Sequence, residues 1–357
     1  MQKIVRESGI DTMTAEISII LTKAIGIVGK QELKDDYGKL LGDMEIKKGK
    51  IILTVNLPRA IGRSDNIKPV SMIDAIKISL ISVNLMKSLE TVLGVKSEEI
   101  KTMVKTIEMN VTTDVDKNTT PDAIVRMFES AYAHTSQQNK TYSHSEIDVE
   151  FGPCRARKKV DNGFLSYKLR THKGGRYRIK VYDKTFEQWA KTHKAMNKEL
   201  PAENQRLIRV EIVMLEDLLK NLFKEKEISV QEILNAKSLT ILCDEYKRIY
   251  CDEIVEDHIK PYLTSTVYDV LVPTLIKTDK YVDTYAKCKE YIFDASQMKR
   301  ALKKYYEIKK ANGELKSNDI YIVKKSVNRA MKYLDDRFKI NSLDGTFKTL
   351  KDIKNKA

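Results

Sequence analysis

The most constraining feature of this sequence is the alternation of apolar and polar side chains from Arg176 to Lys184. Side chains alternate between the two faces of a β-strand, so Tyr177, Ile179 and Val181 share one face and should point into a core. The opposite face carries Arg176, Arg178, Lys180, Tyr182 and Lys184. The run predicts a strand in a sheet with one covered face, and it sets a tyrosine among cations on the face that can meet a partner.

Further strands and helices are predicted on both sides of this run. Strand signals occupy residues 16–21, 51–57, 106–112, 146–151, 163–170 and 207–215, and helix signals occupy 71–93, 121–134 and 185–198. In the first helix, one apolar face is predicted from steps of three and four residues: Ile73, Ile76, Leu80, Val83, Met86, Leu89 and Leu93.

These signals predict an α+β fold with a change of structure near residue 216. Residues 1–215 should form an antiparallel-sheet and helix domain, and because both halves of it run strands and helix in similar order, we expect a pseudo-duplication. Residues 216–357 should form a mostly helical region, including a helix at 318–337. A lysine-rich tail is expected to be mobile, and its cations are Lys348, Lys351, Lys354 and Lys356.

Composition narrows the class of protein. A chain of 357 residues with 42% hydrophobic residues can bury a real core. Its 64 Lys and Arg against 50 acidic residues give a net charge of +14, which favours a polyanion such as nucleic acid or an anionic membrane. The most apolar stretch, 71–93, carries four charges, so we expect no membrane span. With no secretion leader and four scattered cysteines, a cytoplasmic location is expected.

Positive charge is concentrated around the alternating strand. Residues 151–194 contain 13 Lys or Arg against three acidic residues. Such a cluster suits a phosphate backbone, because each neutralised phosphate releases counterions. The alternative is an ordinary solvated basic face. The predicted DNA contacts are Arg155, Arg157, Lys158, Lys159, Arg176, Arg178 and Lys180.

Carboxylates on neighbouring strands should share the face of Tyr182. Glu108 and Glu211 each lie opposite the apolar residues of their strands. Carboxylate oxygens hold Mg²⁺ or Mn²⁺. Forming a phenolate at pH 7 from an ordinary tyrosine costs about 4 kcal/mol, and a metal or a nearby lysine would reduce that cost. Together these residue types suit a tyrosine nucleophile acting on a phosphodiester. The alternatives are that Tyr182, one of 17 tyrosines, only stacks or packs there, and that the carboxylates are ordinary solvated charges.

The segment 179–187, Ile-Lys-Val-Tyr-Asp-Lys-Thr-Phe-Glu, followed by Leu-Ile-Arg-Val-Glu at 207–211, resembles the tyrosine motif of rolling-circle replication initiators. The relatives implied are the gene II replication proteins of filamentous phages and related plasmid initiators. Other landmarks occur in the same order: Ile10-Asp11, the Pro-basic loop at 57–62, and Ile107-Glu108, where the family has Ile-Asp. The resemblance covers roughly residues 9–220.

The resemblance implies a function and roles for several residues. Tyr182 would nick one DNA strand at an origin, forming a 5′-phosphotyrosine link and leaving a 3′-OH. Glu108 and Glu211 would hold Mg²⁺ or Mn²⁺, Lys184 would orient the scissile phosphate, and Glu187 would be a further ligand or base. The implied partner is origin DNA of a phage or plasmid, both single- and double-stranded. A host helicase or polymerase and a second copy of the chain in a homodimer are further possible partners that the resemblance implies.

Two other hypotheses are compatible with the sequence. A noncatalytic DNA-binding regulator or partition protein would have the same basic face and would not need Tyr182. An RNA-binding protein is a weaker alternative, because no stacked-aromatic ribonucleoprotein motif is present. The histidine-cluster nickases are not matched, because none of the five histidines forms a His-hydrophobe-His triplet.

Overall fold

An antiparallel sheet of nine strands dominates the described part of the protein. The computed structural model describes residues 8–19, 29–47, 50–63, 69–116, 119–139, 144–150, 164–170, 176–192, 206–280, 283–284, 295–314, 325 and 343–356. The strands are β1 (Gly9–Ile19), β2 (Lys30–Lys34), β3 (Leu40–Lys47), β4 (Lys50–Asn56), β5 (Ile100–Asp114), β6 (His144–Glu150), β7 (Phe164–Arg170), β8 (Tyr177–Asp183) and β9 (Leu207–Leu215). They lie in the order β2-β3-β4-β1-β5-β9-β8-β7-β6.

The sheet has strands from distant parts of the chain at its centre. β1, β5 and β9 are adjacent, with β1 and β9 on either side of β5. Three consecutive strands flank this centre on each side, β2 to β4 beyond β1 and β6 to β8 beyond β9. The centre therefore gathers residues that are far apart in sequence, and the predicted α+β class is confirmed.

Among the described residues, helices occur between the strands and in the last third of the chain. They are α1 (Leu57–Ala60), α2 (Ala75–Leu93), α3 (Pro121–Asn139), α4 (Lys184–Thr192), α5 (Glu216–Phe223), α6 (Val230–Ile233), α7 (Ala236–Arg248), α8 (Lys260–Ser265), α9 (Val272–Thr278), α10 (Ala295–Ala311) and α11 (Leu343–Lys356). Two π-helical stretches, Ile249–Ile259 and Thr266–Leu271, join α7, α8 and α9.

One face of the sheet and the helices share a hydrophobic core. Met109 of β5 and Ile212 of β9 are fully buried on that face. Tyr246 of α7 donates a hydrogen bond to the carbonyl of Val210, and Ile353 of α11 belongs to the same apolar cluster. Helices that follow residue 216 thus pack on the core of the sheet, and the change from mixed to helical structure falls where β9 ends and α5 begins.

Several strand and helix predictions differ from the structure in their bounds. β1 begins at Gly9, earlier than predicted, and α4 is described only to Thr192. Strands β2 and β3 were not predicted. β2 reads Lys-Gln-Glu-Leu-Lys, a polar sequence that fits its place at the edge of the sheet, where charge discourages further pairing.

The predicted buried face of α2 is wrong in its first half. Four of the predicted core residues are exposed, namely Ile73, Ile76, Leu80 and Val83. The buried residues there are Ile78, Ile81 and Leu85, followed by Met86, Leu89 and Leu93. The first half of the helix has apolar residues on two faces, so periodicity alone could not select the one that packs.

The lysine-rich tail was expected to be mobile, and the structure shows otherwise. Residues Leu343–Lys356 form α11, in which Leu350 and Ile353 are buried. Lys356 donates to Thr113 Oγ1 at 2.5 Å, and its carbonyl accepts a hydrogen bond from the backbone of Ser8. The predicted helix at 318–337 lies outside the described residues apart from residue 325. Among the described helices, none combines the length and apolarity that crossing a membrane requires.

Candidate functional site

Polar residues form rows across the second face of the sheet. Tyr182 on β8 lies opposite Arg209 on β9, and Arg209 lies opposite Thr112 on β5. The neighbouring row joins Lys180, Glu211 and Asn110. Residues directly opposite in an antiparallel pair point to the same face, with Cβ atoms about 4.5–5.5 Å apart. The tyrosine of one row and the carboxylate of the next are therefore diagonal neighbours.

Asp11 reaches this face through a β-bulge in β1. Ile10 pairs with Met109 and Thr12 pairs with Glu108, so Asp11 is an extra residue between two paired positions. A bulge redirects a side chain and is common next to active sites. Asp11 is thereby placed beside Glu108, and its side chain is buried.

Asp11, Glu108 and Glu211 form a carboxylate cluster at the centre of the sheet. One oxygen of each lies within 4.8 Å of the others. Burial, with the charges of Glu211 and Asp11, raises the pKa of Glu108 to about 9. Burial also raises the pKa of Asp11, although Arg209 opposes the shift. With no cation bound, the cluster therefore keeps a proton on Glu108 at neutral pH.

Tyr182 is hydrogen-bonded to this cluster. Its hydroxyl donates to Glu211 Oε1 at 2.5 Å. Burial, and then the negative charge of Glu211, raises the pKa of Tyr182 well above its usual value. Lys180 Nζ lies 4.5 Å from the centroid of the phenol ring, and Lys184 Nζ lies 5.8 Å from it. The phenol is held protonated beside a carboxylate that can accept its proton.

Arg209 supplies positive charge between the carboxylates. Its side chain is fully buried, and Nη1 lies 3.3 Å from Asp11 Oδ2 and 3.7 Å from Glu211 Oε1. Its Nε donates to Thr112 Oγ1 at 2.8 Å, which fixes the plane of the guanidinium. One guanidinium faces three carboxylic groups, so it offsets only part of their charge.

The start of α4 brings two further charged groups to Tyr182. Asp183 Oδ1 accepts the backbone N–H of Phe186 at 2.8 Å and so caps the first turn of the helix. Within that turn Lys184 Nζ lies 2.7 Å from Glu187 Oε2. Burial lowers the pKa of Lys184, while Glu187 acts against that shift. Burial raises the pKa of Asp183 to about 6.

The structure places five sequence-predicted residues around one point: Tyr182, Glu108, Glu211, Lys184 and Glu187. The expectation that Tyr182 and Lys184 lie on an open face is wrong, because their side chains are 3% and 0% exposed. Lys184 also belongs to α4 rather than to the strand. Among the predicted DNA contacts, two are exposed (Arg176 and Arg178) and one is half-buried (Lys180), while Arg155, Arg157, Lys158 and Lys159 lie outside the described residues.

Sequence reasoning assigned no role to Asp11, Arg209 or Asn110. For Asp11 two signals were available. Ile10-Asp11 is a landmark of the resemblance, and the apolar residues Ile10 and Met13 stand three apart, which breaks the two-residue period of a strand and indicates a bulge. Arg209 follows the alternation of β9 onto the polar face, but its burial depends on neighbours that the sequence does not identify.

The carboxylate cluster fits a divalent cation. Asp11 Oδ1 is buried and has no hydrogen-bond partner, which is unusual for a carboxylate oxygen. Three carboxylates with one oxygen each within 4.8 Å of the others are a donor set of the kind that Mg²⁺ and Mn²⁺ prefer. The residues that would hold the ion are Asp11, Glu108 and Glu211.

Compared with protein-family models, with curated proteins and with solved structures, the chain matches none.

Proposed function

We propose that this protein is a metal-dependent DNA nickase of the rolling-circle initiator type, in which Tyr182 is the nucleophile. The observation that carries the proposal is the hydrogen bond from the Tyr182 hydroxyl to the buried Glu211, a member of the carboxylate cluster. A tyrosine that served only to pack the sheet would not need three carboxylic groups, a buried arginine and a buried lysine around it. Such a concentration of titratable groups is typical of functional sites.

Glu211 is the proposed acceptor of the Tyr182 proton. As the hydroxyl oxygen attacks phosphorus, its proton passes to Glu211, the new bond between phosphorus and the phenol oxygen forms, and the bond from phosphorus to the 3′ oxygen breaks. The 3′ oxygen leaves as a hydroxyl after taking a proton from solvent. The product is a 5′-phosphotyrosine link, which conserves the bond for later rejoining.

Burial and Glu211 raise the pKa of Tyr182 in the metal-free protein. Nearby positive charge would lower that pKa and so make the phenolate easier to form. A cation bound by Asp11, Glu108 and Glu211 would stabilise the phenolate and neutralise charge on the phosphoryl group. Lys184 stands 5.8 Å from the phenol ring and is proposed to orient the scissile phosphate. Glu187 holds Lys184 in place and is a further candidate ligand or base.

Access to Tyr182 requires a local rearrangement, because its side chain is buried. Lys180 covers the phenol ring and is only half-buried, so its ammonium group can move outward to a phosphate. Arg178 and Arg176 continue the cationic line along β8 to the exposed surface. A single strand of DNA lying along this line would bring a phosphate to the site, since backbone contacts fix register without reading sequence.

The arrangement of strands supports an internal duplication of the nickase domain. On each side of the sheet three consecutive strands are followed in the chain by helical structure, α1 and α2 in the first half and α4 in the second, and then by a central strand, β5 or β9. The two copies would place Glu108 and Glu211 on their final strands. The helical region after residue 216 is proposed to contact origin DNA or a replication partner.

The proposal is tested by incubating the protein with supercoiled DNA of its own replicon, with Mg²⁺ or Mn²⁺ or with chelator. Tyr182→Phe should abolish open circles and protein-linked DNA while DNA binding persists. Tyr177→Phe is the matched control, because Tyr177 lies on the same strand but faces the core, where it bonds to Glu253. Nicking by Tyr182→Phe at the wild-type rate would refute the mechanism, and a wild-type protein that binds without nicking would favour the noncatalytic regulator.

A further inference from the structure

Asn110 is the most anomalous polar residue of the described chain that the proposed mechanism leaves unused. Its side chain is fully buried, and neither its Oδ1 nor its Nδ2 has a hydrogen-bond partner. A carboxamide can make up to four hydrogen bonds, and buried amides in native proteins are almost always paired. An apolar residue would be less costly here if packing were the only requirement.

The register places Asn110 within the carboxylate site. It alternates along β5 with core residues and so shares the polar face with Glu108, two residues earlier in the strand. On one side it lies directly opposite Glu211, and on the other side it lies opposite Gly9, which has no side chain. The unpaired amide is thus bordered by two of the three carboxylic residues of the cluster.

We infer that Asn110 Oδ1 is a fourth oxygen ligand of the divalent cation that Asp11, Glu108 and Glu211 hold. The inference rests on the metal-dependent function proposed above and adds a ligand to it. A neutral carboxamide oxygen is an accepted ligand of hard cations, and unlike a fourth carboxylate it adds no repulsion to the cluster. A bound ion would satisfy two orphaned oxygens together, Oδ1 of Asn110 and Oδ1 of Asp11.

Direct binding of Mn²⁺ by the full chain, without DNA, tests this inference. Free Mn²⁺ is measured by its electron paramagnetic resonance signal, and thermal melting is recorded with and without the ion. Asn110→Leu keeps the branched shape of the side chain and removes both polar atoms. We expect it to bind Mn²⁺ at least tenfold more weakly and to melt, in chelator, at or above the wild-type temperature. Asn110→Asp keeps an oxygen at this position and should retain binding.

Each result is decisive. Equal Mn²⁺ affinity of wild type and Asn110→Leu overturns the assignment of Asn110 and leaves the proposed nickase untouched. Failure of the wild type to bind Mn²⁺ overturns both the ligand and the metal-dependent function. If Asn110→Leu does not fold, Asn110→Ala takes its place, and a loss of affinity that Asn110→Asp restores supports the inference.

Discussion

Replacement of Glu108 by Gln tests the electrostatics of the carboxylate cluster. The pKa of Glu108 is about 9 in the folded, metal-free protein, against 4.5 for an ordinary glutamate. Between these values the folded chain holds a proton that the unfolded chain has released. Stability must then fall as pH rises through this window, because deprotonation favours the unfolded chain. The side-chain amide of Glu108→Gln does not titrate in this pH range, so the stability of the variant lacks this dependence on pH.

The size of the effect follows from proton linkage. One proton held only by the folded state changes the free energy of unfolding by about 1.4 kcal/mol per pH unit. From pH 6 to pH 8, Glu108→Gln should therefore gain roughly 3 kcal/mol relative to wild type. Other titrating groups are common to both chains, so their contributions cancel in the difference as long as they do not couple to Glu108. Asp11 interacts directly with Glu108, so its own titration differs between the two chains, and this figure is an upper value.

The free energy of unfolding is measured by urea denaturation in chelator at several pH values. Glu98→Gln is the control, because Glu98 is an exposed glutamate away from the sheet centre. Addition of Mg²⁺ should stabilise wild type more at pH 8 than at pH 6, because the ion displaces the proton of Glu108, and it should stabilise Glu108→Gln much less. Parallel stability curves for wild type and Glu108→Gln from pH 6 to pH 8 would refute the reasoning.

Two further predictions concern the frame of the site and the packing of α2. A Cβ on Gly9 would lie 2.2 Å from the carbonyl oxygen of Val70, so Gly9→Ala should displace β1 beside the Asp11 bulge. We expect the variant to be destabilised by about 1–3 kcal/mol in urea denaturation and to bind Mn²⁺ more weakly. Unchanged stability would contradict this close approach. On α2, Leu89→Ala should cost about 2–5 kcal/mol because Leu89 is fully buried. Ile76→Ala should stay within about 0.5 kcal/mol because Ile76 is 81% exposed, and a larger loss would show that this face is covered.

Alternation predicted those parts of the site that lie on regular strands. The period of two in β5, β8 and β9 put Glu108, Tyr182 and Glu211 opposite their apolar neighbours, and the structure shows these three side chains on one face. The sequence could not show that β1 pairs with β5, because that pairing joins residues about a hundred positions apart. Asp11 was therefore predicted only as a landmark of the resemblance and not as a ligand, although it lies within the cluster.

Burial was harder to predict than position. Tyr182 and Lys184 occur in a cationic run that reads as solvent-exposed, yet both side chains are enclosed. Enclosure depends on the residues that pack above a face, and alternation describes only the strand itself. The same limit explains α2, where Ile76 and Ile78 are equally apolar and the positions of the neighbouring strands and helices decide which is covered.

The position of the carboxylates at the sheet centre links the proposed chemistry to folding. Asp11, Glu108 and Glu211 belong to three adjacent strands whose pairing closes the longest loops of the sheet. In the metal-free protein their proximity opposes that pairing, and Arg209 with the Glu108 proton relieves only part of the repulsion. A cation at this point would add stability by binding the folded chain alone. The same ion would thus stabilise the pairing of the three central strands and the negative charge that Tyr182 must develop. Loss of metal should therefore lower both the stability of the fold and the proposed nicking activity.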